Sequence, residues 1–503
     1  MAIDIEDLAK RRGFFWRSSE LYGGISGFYD YAHLGFMVKK KWENQWRNFF
    51  IRLDENYYEI QPCQTMTEEV FQASGHLASF VDPIAKCKKC GFSERADHIL
   101  EDRLHETFEG ISSEDILKLI KKHNIRCSKC KGELSEVGEL NLMFPVKVGT
   151  GKDARQCYLS PETAQGAYVN FLQEFHILRR KLPLGLAIIG KAFRNEISPR
   201  NALIRMREFT QAELQIFFDP DTINEHPKFD EIKNTKLRLF LVKNRGQNKI
   251  MEMPAIEVVE KIKIPKFYVY HLAKIQEFYT NIMEIPPEKF RFRELSEEER
   301  AFYNKYHFDI ELDIPDIGFK EVAGLHYRTD HDLAGHEKIS KQSQNINIEG
   351  KKFIPHVLEI SMGVDRNVFA ILSMFCDEEK TTVEINEQND SDRIVLRFPR
   401  RISTFDSGIF PLLKKQGLDE KAKQVKNMLS DEGFSVFYDE AGSIGRRYRR
   451  IDEIGVPLGI TIDHQTLEDS TVTIRDRDTM KQVRVEIKNL VSKLRNYFKG
   501  ESL

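Results

Sequence analysis

The chain has 503 residues, 41% hydrophobic and 31% charged, with a net charge of -2, which is more than one simple domain needs and ordinary for a soluble globular protein of two or three domains. The opening MAIDIEDLAKRRGFF has no signal-peptide core and no later run approaches the ~18 apolar residues of a membrane span, so no membrane is involved and a cytoplasmic location is expected. Seven cysteines, four of them in two C-x-x-C pairs, fit a reducing compartment with a metal site better than a disulfide framework.

Over residues 34–50, Leu34, Val38, Trp42, Trp46 and Phe49 recur every three or four positions, which predicts a helix with one apolar face. It feeds a strand-like stretch, NYYEIQP, that stops at Pro62. Residues 86–132 are highly charged, begin and end with cysteine pairs and hold a helix within 99–120, so they read as an insertion. Strand character resumes with LGLAIIG at 184–190. Residues 221–315 read as a second, mainly helical insertion, and IPHVLEI at 354–360 runs into the helical spacing of Val364, Val368, Ile371 and Phe375. An acidic linker is expected at 377–392, followed at 393–503 by alternating helices and strands of an α/β domain. Residues 391–503 carry 21 Lys and Arg against 17 Asp and Glu, a mildly basic tail.

The stretch AFRNEISPRNALIRMREFTQAE at 192–213 carries Arg194, Arg200, Arg205 and Arg207 around a Ser-Pro-Arg-Asn turn. Two strands around a polar turn make an antiparallel hairpin, so Arg194 and Glu196 share a face, as do Arg205, Arg207 and Phe209. Guanidinium forks suit phosphate and an aromatic ring suits a purine, which fits a nucleoside triphosphate. On spacing alone the same pattern also fits a solvated hairpin laced with surface ion pairs.

With its companions the pattern is more specific. FRNE followed by Arg205-x-x-x-Phe209 resembles motif 2 of the class II aminoacyl-tRNA synthetases, GVDR at 363–366 resembles their motif 3, and residues 34–62 resemble motif 1. SPETAQG, RTDHDL, ASGHLASFVDP and GRRYRRIDEIGVP together resemble the single-chain glycyl-tRNA synthetases of archaea and eukaryotes, over nearly the whole chain. The resemblance implies an antiparallel-sheet catalytic domain in an α/β (α+β) chain, at 1–85 and 133–376, with motif 2 at about 192–213 and motif 3 at about 355–375. A zinc-ribbon insertion at 86–132 and a C-terminal α/β anticodon-binding domain at 393–503 complete the expected layout.

The implied activity is ATP-dependent attachment of glycine to tRNA(Gly) through a glycyl-adenylate, by a homodimer built on motif 1. By similarity, Arg194 bridges the α-phosphate and the glycine carboxylate, Glu196 takes the adenine amino group, Arg205 the γ-phosphate and Phe209 the adenine face. Arg366 lies near the terminal phosphate, Mg2+ bridges the phosphates with Glu359 as a ligand, and Glu162, Glu213, Glu359 and Ser361 surround the glycine ammonium, with Arg328 facing the substrate. The alternative class is a catalytically lapsed relative that binds nucleic acid as an accessory subunit; the complete chemistry set argues against it.

Cys87, Cys90, Cys127 and Cys130 resemble the two knuckles of a structural Zn2+ ribbon, with an unusually long gap of 36 residues between the pairs that a helical hairpin has to fill. His98 and His123 read as surface histidines. In the tail, Arg446, Arg447 and Tyr448 are candidates for phosphate contact and base stacking in tRNA, with local ion pairs to Asp452 and Glu453 as the alternative. The chain departs from the family at Ser160, where arginine is usual, at Ala32 and His33 in DYAHLG, and at Ile360, where proline is usual.

Overall fold

The computed structural model describes residues 4–104, 111–199, 201–301, 304–379 and 393–503. They form two compact units, one of residues 17–29 and 46–367, the other of residues 1–16, 30–45 and 368–503. This grouping differs from the expected division, which assigns 1–85 entirely to the catalytic domain. Its cause is packing: Phe14 meets Phe398 edge-on at 6.2 Å, and Lys41 pairs with Asp406 at 2.9 Å, so the chain's first residues build the unit that holds its last ones. Among the described residues, no helix is long and apolar enough to cross a membrane.

The helix expected from residue 34 is present as α1 (His33–Phe50), with Val38, Trp42 and Trp46 fully buried on its apolar face. In the larger unit, nine strands make one sheet: β1 (Tyr57–Glu59), β2 (Leu184–Phe193), β3 (Glu208–Phe218), β4 (Lys236–Phe240), β5 (Met251–Pro254), β6 (Phe290–Glu294), β7 (Tyr306–Ile314), β8 (Gly318–Thr329) and β9 (His356–Gly363). Their order is β5-β4-β6-β7-β8-β9-β3-β2-β1, antiparallel except where β1 meets β2 and β4 meets β6. The segment 221–315 is therefore corrected from mainly helical to mixed, because its strands extend the central sheet; their short lengths between helices hid the alternation.

Helix α2 (Ala164–Ile177) packs Phe171 and Phe175 over β2 and β3, with Phe171 stacked on Phe217 at 4.2 Å. Side chains of β3 alternate across the sheet, so Phe217, Gln215, Glu213, Gln211 and Phe209 share one face. That face grades from apolar under α2 to polar at the other end, and the polar end is the site. Gly166 lets α2 sit against the chain leaving β1: a Cβ there would lie 2.2 Å from Pro62 Cγ.

The expected hairpin at 192–213 is β2 paired with β3, but the ladder ends at Phe193 opposite Glu208. Arg194, Arg205 and Arg207 thus lie in the connecting loop, and the shared-face argument for them does not hold; Arg200 lies outside the described residues. Around 86–132, strands Val81–Cys87, Ser93–Arg95 and Leu134–Asn141 form a small sheet, and the expected helical hairpin is present as Ala96–Leu104 and Ser113–Lys122, packed on it through Leu100, Ile116 and Ile120. Helix α3 (Val364–Met374) follows β9 directly.

In the smaller unit, strands β10 (Ser407–Pro411), β11 (Val436–Tyr438), β12 (Leu458–Ile462), β13 (Thr471–Asp476) and β14 (Gln482–Glu486) order as β11-β10-β12-β13-β14. Helices α4 (Leu418–Asp431), α5 (Ile444–Asp452) and α6 (Ile487–Phe498) accompany them. Of the expected linker, residues 380–392 lie outside the described residues, and 377–379 belong to strand Cys376–Glu379, which pairs with Arg393–Leu396.

Gly166→Ala is expected to cost about 1–3 kcal/mol through overpacking against Pro62. Thermal unfolding should show a clear drop in Tm for this variant, while Gly246→Ala, with open space around its Cβ, leaves Tm within about a degree of wild type.

Candidate active site

A cavity of about 330 Å³ opens at the polar end of the β3 face. Glu162, Glu213, Arg328, Glu359 and Ser361 line it, as do Arg194, Glu196, Arg205, Phe209 and Arg366. All ten catalytic-domain residues singled out in the sequence as nucleotide or glycine contacts therefore meet in one place.

Its centre is a buried charge cluster. Arg328, 4% exposed, donates Nε and Nη2 to Asp332 at 2.8 and 3.0 Å and Nη1 to Glu359 Oε2 at 2.9 Å, and its Nη2 lies 3.5 Å from Glu162 Oε1. His326 Nδ1 bonds the other oxygen of Glu359. Burial raises the cost of ionising both glutamates, yet Arg328, with His326 for Glu359 and His76 for Glu162, outweighs it. Glu359 is pulled down to about 2, and Glu162 well below the usual carboxylate range. Arg328 lines the cavity while its guanidinium pairs with protein carboxylates, Asp332 among them, and through these bonds it holds Glu162 and Glu359 in place.

Glu213 differs in kind. Thr163 and Ser361 each donate a hydroxyl to it at 2.7 Å, and no cation pairs with it among the described residues. Burial, then the charges of Glu359 and Glu162, push its carboxyl up to about 8. Burial and two neighbouring carboxylates thus favour the protonated form of Glu213 relative to an ordinary carboxyl.

At the other end, Arg194 donates Nε to Pro161 O at 3.0 Å, and its guanidinium lies 5.5 Å from the Phe80 ring centre and 5.3 Å from that of Phe209. It makes no ion pair among the described residues, which suits a group awaiting an anion. Arg205 Nε pairs with Glu196 at 2.8 Å, and its Nη1 lies 3.1 Å from His98 Nε2. His98 is thus corrected from a surface residue to a buried one that links the cysteine-bearing insertion to the arginine loop. Arg207 turns away, donating to the backbone oxygens of Glu196 and Ser26. Arg366 Nη1 pairs with Glu321 at 3.0 Å, and Asp365 accepts the backbone N–H of Thr210.

Glu359 is well partnered by the protein: Oε2 accepts from Arg328 and from Gln215 Nε2 at 2.8 Å, and Oε1 bonds His326, which leaves Oε1 as its open coordination position. Ser160, in place of the usual arginine, is fully buried and donates its hydroxyl to Glu162 O at 2.5 Å, bracing the loop that Arg328 otherwise orients by charge.

The cavity also uses His76, Phe80, Gln211, His307, Glu321 and His326, none assigned from sequence. Period-two spacing carried a signal for two of them, since Gln211 lies between Phe209 and Glu213 on β3, and His326 lies two before Arg328 on β8.

The four cysteine sulfurs of the insertion lie within 4.8 Å of one another, with Cys87 to Cys130 at 3.4 Å and Cys90 to Cys127 at 3.8 Å. Zinc–sulfur bonds of about 2.3 Å make a tetrahedron with edges of about 3.8 Å, so the cluster fits a Zn2+ ion with no open position. In the smaller unit, Arg447 and Tyr448 are corrected as tRNA contacts. Arg447 is 3% exposed and donates to the carbonyls of Pro411 and Gly442, while Tyr448 meets Phe410 edge-on and bonds Thr461 at 2.6 Å. Arg446 alone of the three is exposed. Asp452 pairs with Arg393 and Arg475, and Arg450 pairs with Asp439.

A sheet of this order carrying an arginine loop and an arginine-bearing helix start defines a class II synthetase core, and residues 146–375 match the family described as the tRNA synthetase class II core domain (G, H, P, S and T). Residues 406–497 match the anticodon binding domain. The glycine–tRNA ligase of Pyrococcus furiosus is 40% identical over 99% of this chain and 99% of its own length. Those of Methanothrix thermoacetophila and Aeropyrum pernix are 37% and 35% identical, over 99% and 98% of this chain and 97% and 96% of theirs. The chain belongs to the glycine–tRNA ligase family of class II aminoacyl-tRNA synthetases.

Two outcomes follow from the site. Because Glu213 is raised from 4.5 to about 8 on folding, the folded chain holds an extra proton between those values, and this group's contribution to stability falls as pH rises through that window. Glu213→Gln keeps the hydroxyl partners without the charge, so its Tm relative to wild type should rise between pH 5 and pH 8, by the equivalent of a few kcal/mol. Metal analysis should find one zinc per chain in the purified protein, reduced severalfold in Cys90→Ser, with the Cys87 and Cys127 insertion becoming protease-sensitive after chelation.

Proposed function

We propose that this cavity activates glycine with ATP and passes it to the 3' end of tRNA(Gly). The observation that carries the assignment is the division of one cavity into an arginine end and an acid end. Both steps place negative charge on phosphate and carbonyl oxygens, so fixed guanidinium groups and positioning do most of the work. Arg194 bridges the α-phosphate and the glycine carboxylate, and its lack of an ion pair in the empty site supports that role. Phe209 takes the adenine face, Glu196 the adenine amino group, and Arg205 and Arg366 the outer phosphates.

At the acid end, Glu213, Glu162 and Glu359 with Ser361 receive the glycine ammonium. Asp332, Glu359 and Glu162 outnumber Arg328 and His326, so the cluster is net negative and attracts the ammonium, and Glu213 adds to that charge by releasing its proton to solvent as the cation arrives. Glycine has no side chain to grip, so selectivity rests on excluding the first methyl by contact with the packed Thr163, Glu213 and Ser361 wall. A clash of this kind discriminates more strongly than an unfilled pocket, worth about 1–3 kcal/mol per methylene.

The cysteine cluster, as a structural Zn2+ site, supports the arginine loop through His98 and Arg205. The smaller unit binds tRNA through its exposed face, with Arg446 the contact left available in the motif. We assign a homodimer through the motif 1 elements, on which Phe36 and Tyr58 are 50% and 39% exposed.

Glycine-dependent exchange of pyrophosphate into ATP should be robust, with alanine and serine at least about 100-fold slower, and Arg194→Ala should lower it by about 10²–10³. No exchange with glycine would sink the proposal. Arg446→Ala should weaken tRNA binding several-fold and spare exchange, whereas Arg447→Ala should lower the Tm of the smaller unit. Sedimentation at micromolar concentration should give a dimer, and a stable monomer would count against the assembly.

A further inference from the structure

Two buried acceptors close together in sequence have no donor among the described residues: Nδ1 of His307 and Oδ1 of Asn304. Both side chains line the reaction cavity, and Asn304 also lines an adjoining surface groove with Arg300, Lys305 and Lys338. Buried polar groups in folded proteins are nearly always paired, so two orphans on one cavity mark a place where ligand donors complete the bonding.

The chemistry of those donors is constrained. His307 Nε2 lies 3.0 Å from Asp309 Oδ1, and Asp309 is held in turn by Arg293 at 3.1 Å. A carboxylate only accepts, so Nε2 carries the proton and Nδ1 the lone pair. The groups facing the ring are Asp309 on β7 and His326 and Glu321 on β8, with the two histidine rings edge-on at 4.2 Å. Burial, then the charge of His326, holds His307 below the ordinary imidazole range, so it is neutral and able to accept. The groove presents exposed Lys305 and Lys338 against one acid, Asp330, while Arg300 is held by Glu297 at 3.0 Å and by the Lys305 carbonyl at 2.8 Å, shaping the groove wall. A ligand that meets cations along its length and offers hydroxyl donors at its end fits a phosphodiester chain with a terminal ribose, the chemistry of the 3' end of an RNA.

Resting on the function proposed above, we infer that the terminal ribose of the tRNA enters along the Arg300, Lys305 and Lys338 groove past Asn304 and seats its reacting hydroxyl on Nδ1 of His307, which takes the proton during transfer. The ribose oxygen bonds to the glycyl carbonyl carbon. The bond from that carbon to the AMP phosphate oxygen breaks, and its electron pair leaves with AMP. The hydroxyl proton passes to Nδ1, and Asp309 stabilises the imidazolium.

The test is rapid-quench transfer from enzyme preloaded with glycyl-adenylate to tRNA, with glycine-dependent pyrophosphate exchange run on the same preparations. His307→Asn retains an acceptor near Nδ1 without its basicity. It should slow transfer at saturating tRNA by about 100-fold or more, well beyond any loss in exchange, and remove the fall in transfer that wild type shows on acidification. The double variant Lys305→Glu, Lys338→Glu should raise the tRNA concentration for half-maximal transfer about tenfold, and an unchanged value would overturn the route. A His307→Asn transfer rate within threefold of wild type, or a loss matched by exchange, would overturn the role of His307. Absence of glycine-dependent exchange in wild type would instead overturn the function on which the inference rests.

Discussion

The site depends on one buried guanidinium. Arg328 carries a positive charge in a region that is almost closed to water, and three carboxylates, Asp332, Glu359 and Glu162, converge on it. Isolated, any one of these charges would be expensive to bury, and removing one partner of such a cluster typically costs ~3–5 kcal/mol because the others are left uncompensated. Together they form a fixed frame whose net charge is set before any ligand arrives. Against that frame Glu213, one strand over from Glu359 and bonded to the hydroxyls of Thr163 and Ser361, is held by burial and by its acidic neighbours above the usual carboxylate range. The division between acids that shape the site and an acid that responds to its contents follows from where Arg328 reaches.

The same logic extends outward. His326 completes the neutralisation of Glu359 and lies edge-on to His307, so the ammonium end of the cavity and the imidazole at its rim are electrostatically linked. At the arginine end, the loop between β2 and β3 is held from several sides. Arg207 ties it to Ser26, Arg366 donates to the Ile204 carbonyl, and Arg205 meets His98 of the insertion. The insertion that carries the four-cysteine cluster thereby bears on the orientation of the Arg205 guanidinium, 107 residues downstream of His98, without lining the cavity through its cysteines.

Much of this was legible in the amino acids. The apolar stripe of α1, the strands at 184–190 and 354–360, the cysteine spacing and the ten cavity residues all follow from local pattern or from motif resemblance. What was not legible depended on non-local packing. The arginines of the 192–213 stretch read as strand residues because nothing in their spacing shows that the ladder stops at Phe193. His98 read as surface because its partner, Arg205, is distant in the chain. Arg447 and Tyr448 looked like RNA contacts because a run of arginines around a tyrosine has the same composition whether the groups point out to phosphate or in to carbonyls and a threonine. The strands within 221–315 are short and separated by helices, so their alternation never accumulates over enough residues to stand out.

The interleaving of the two compact units has a consequence for how the chain is made. Segments 4–16 and 30–45 bond to each other, as Ala32 N does to Phe14 O, but some of their partners, Phe398 for Phe14 and Asp406 for Lys41, come only in the last quarter of the sequence. A chain made from its amino terminus therefore holds every strand of its catalytic sheet once residue 363 is made, while Phe14 and Lys41 still await Phe398 and Asp406. Among these contacts the residues made first are the last to be satisfied.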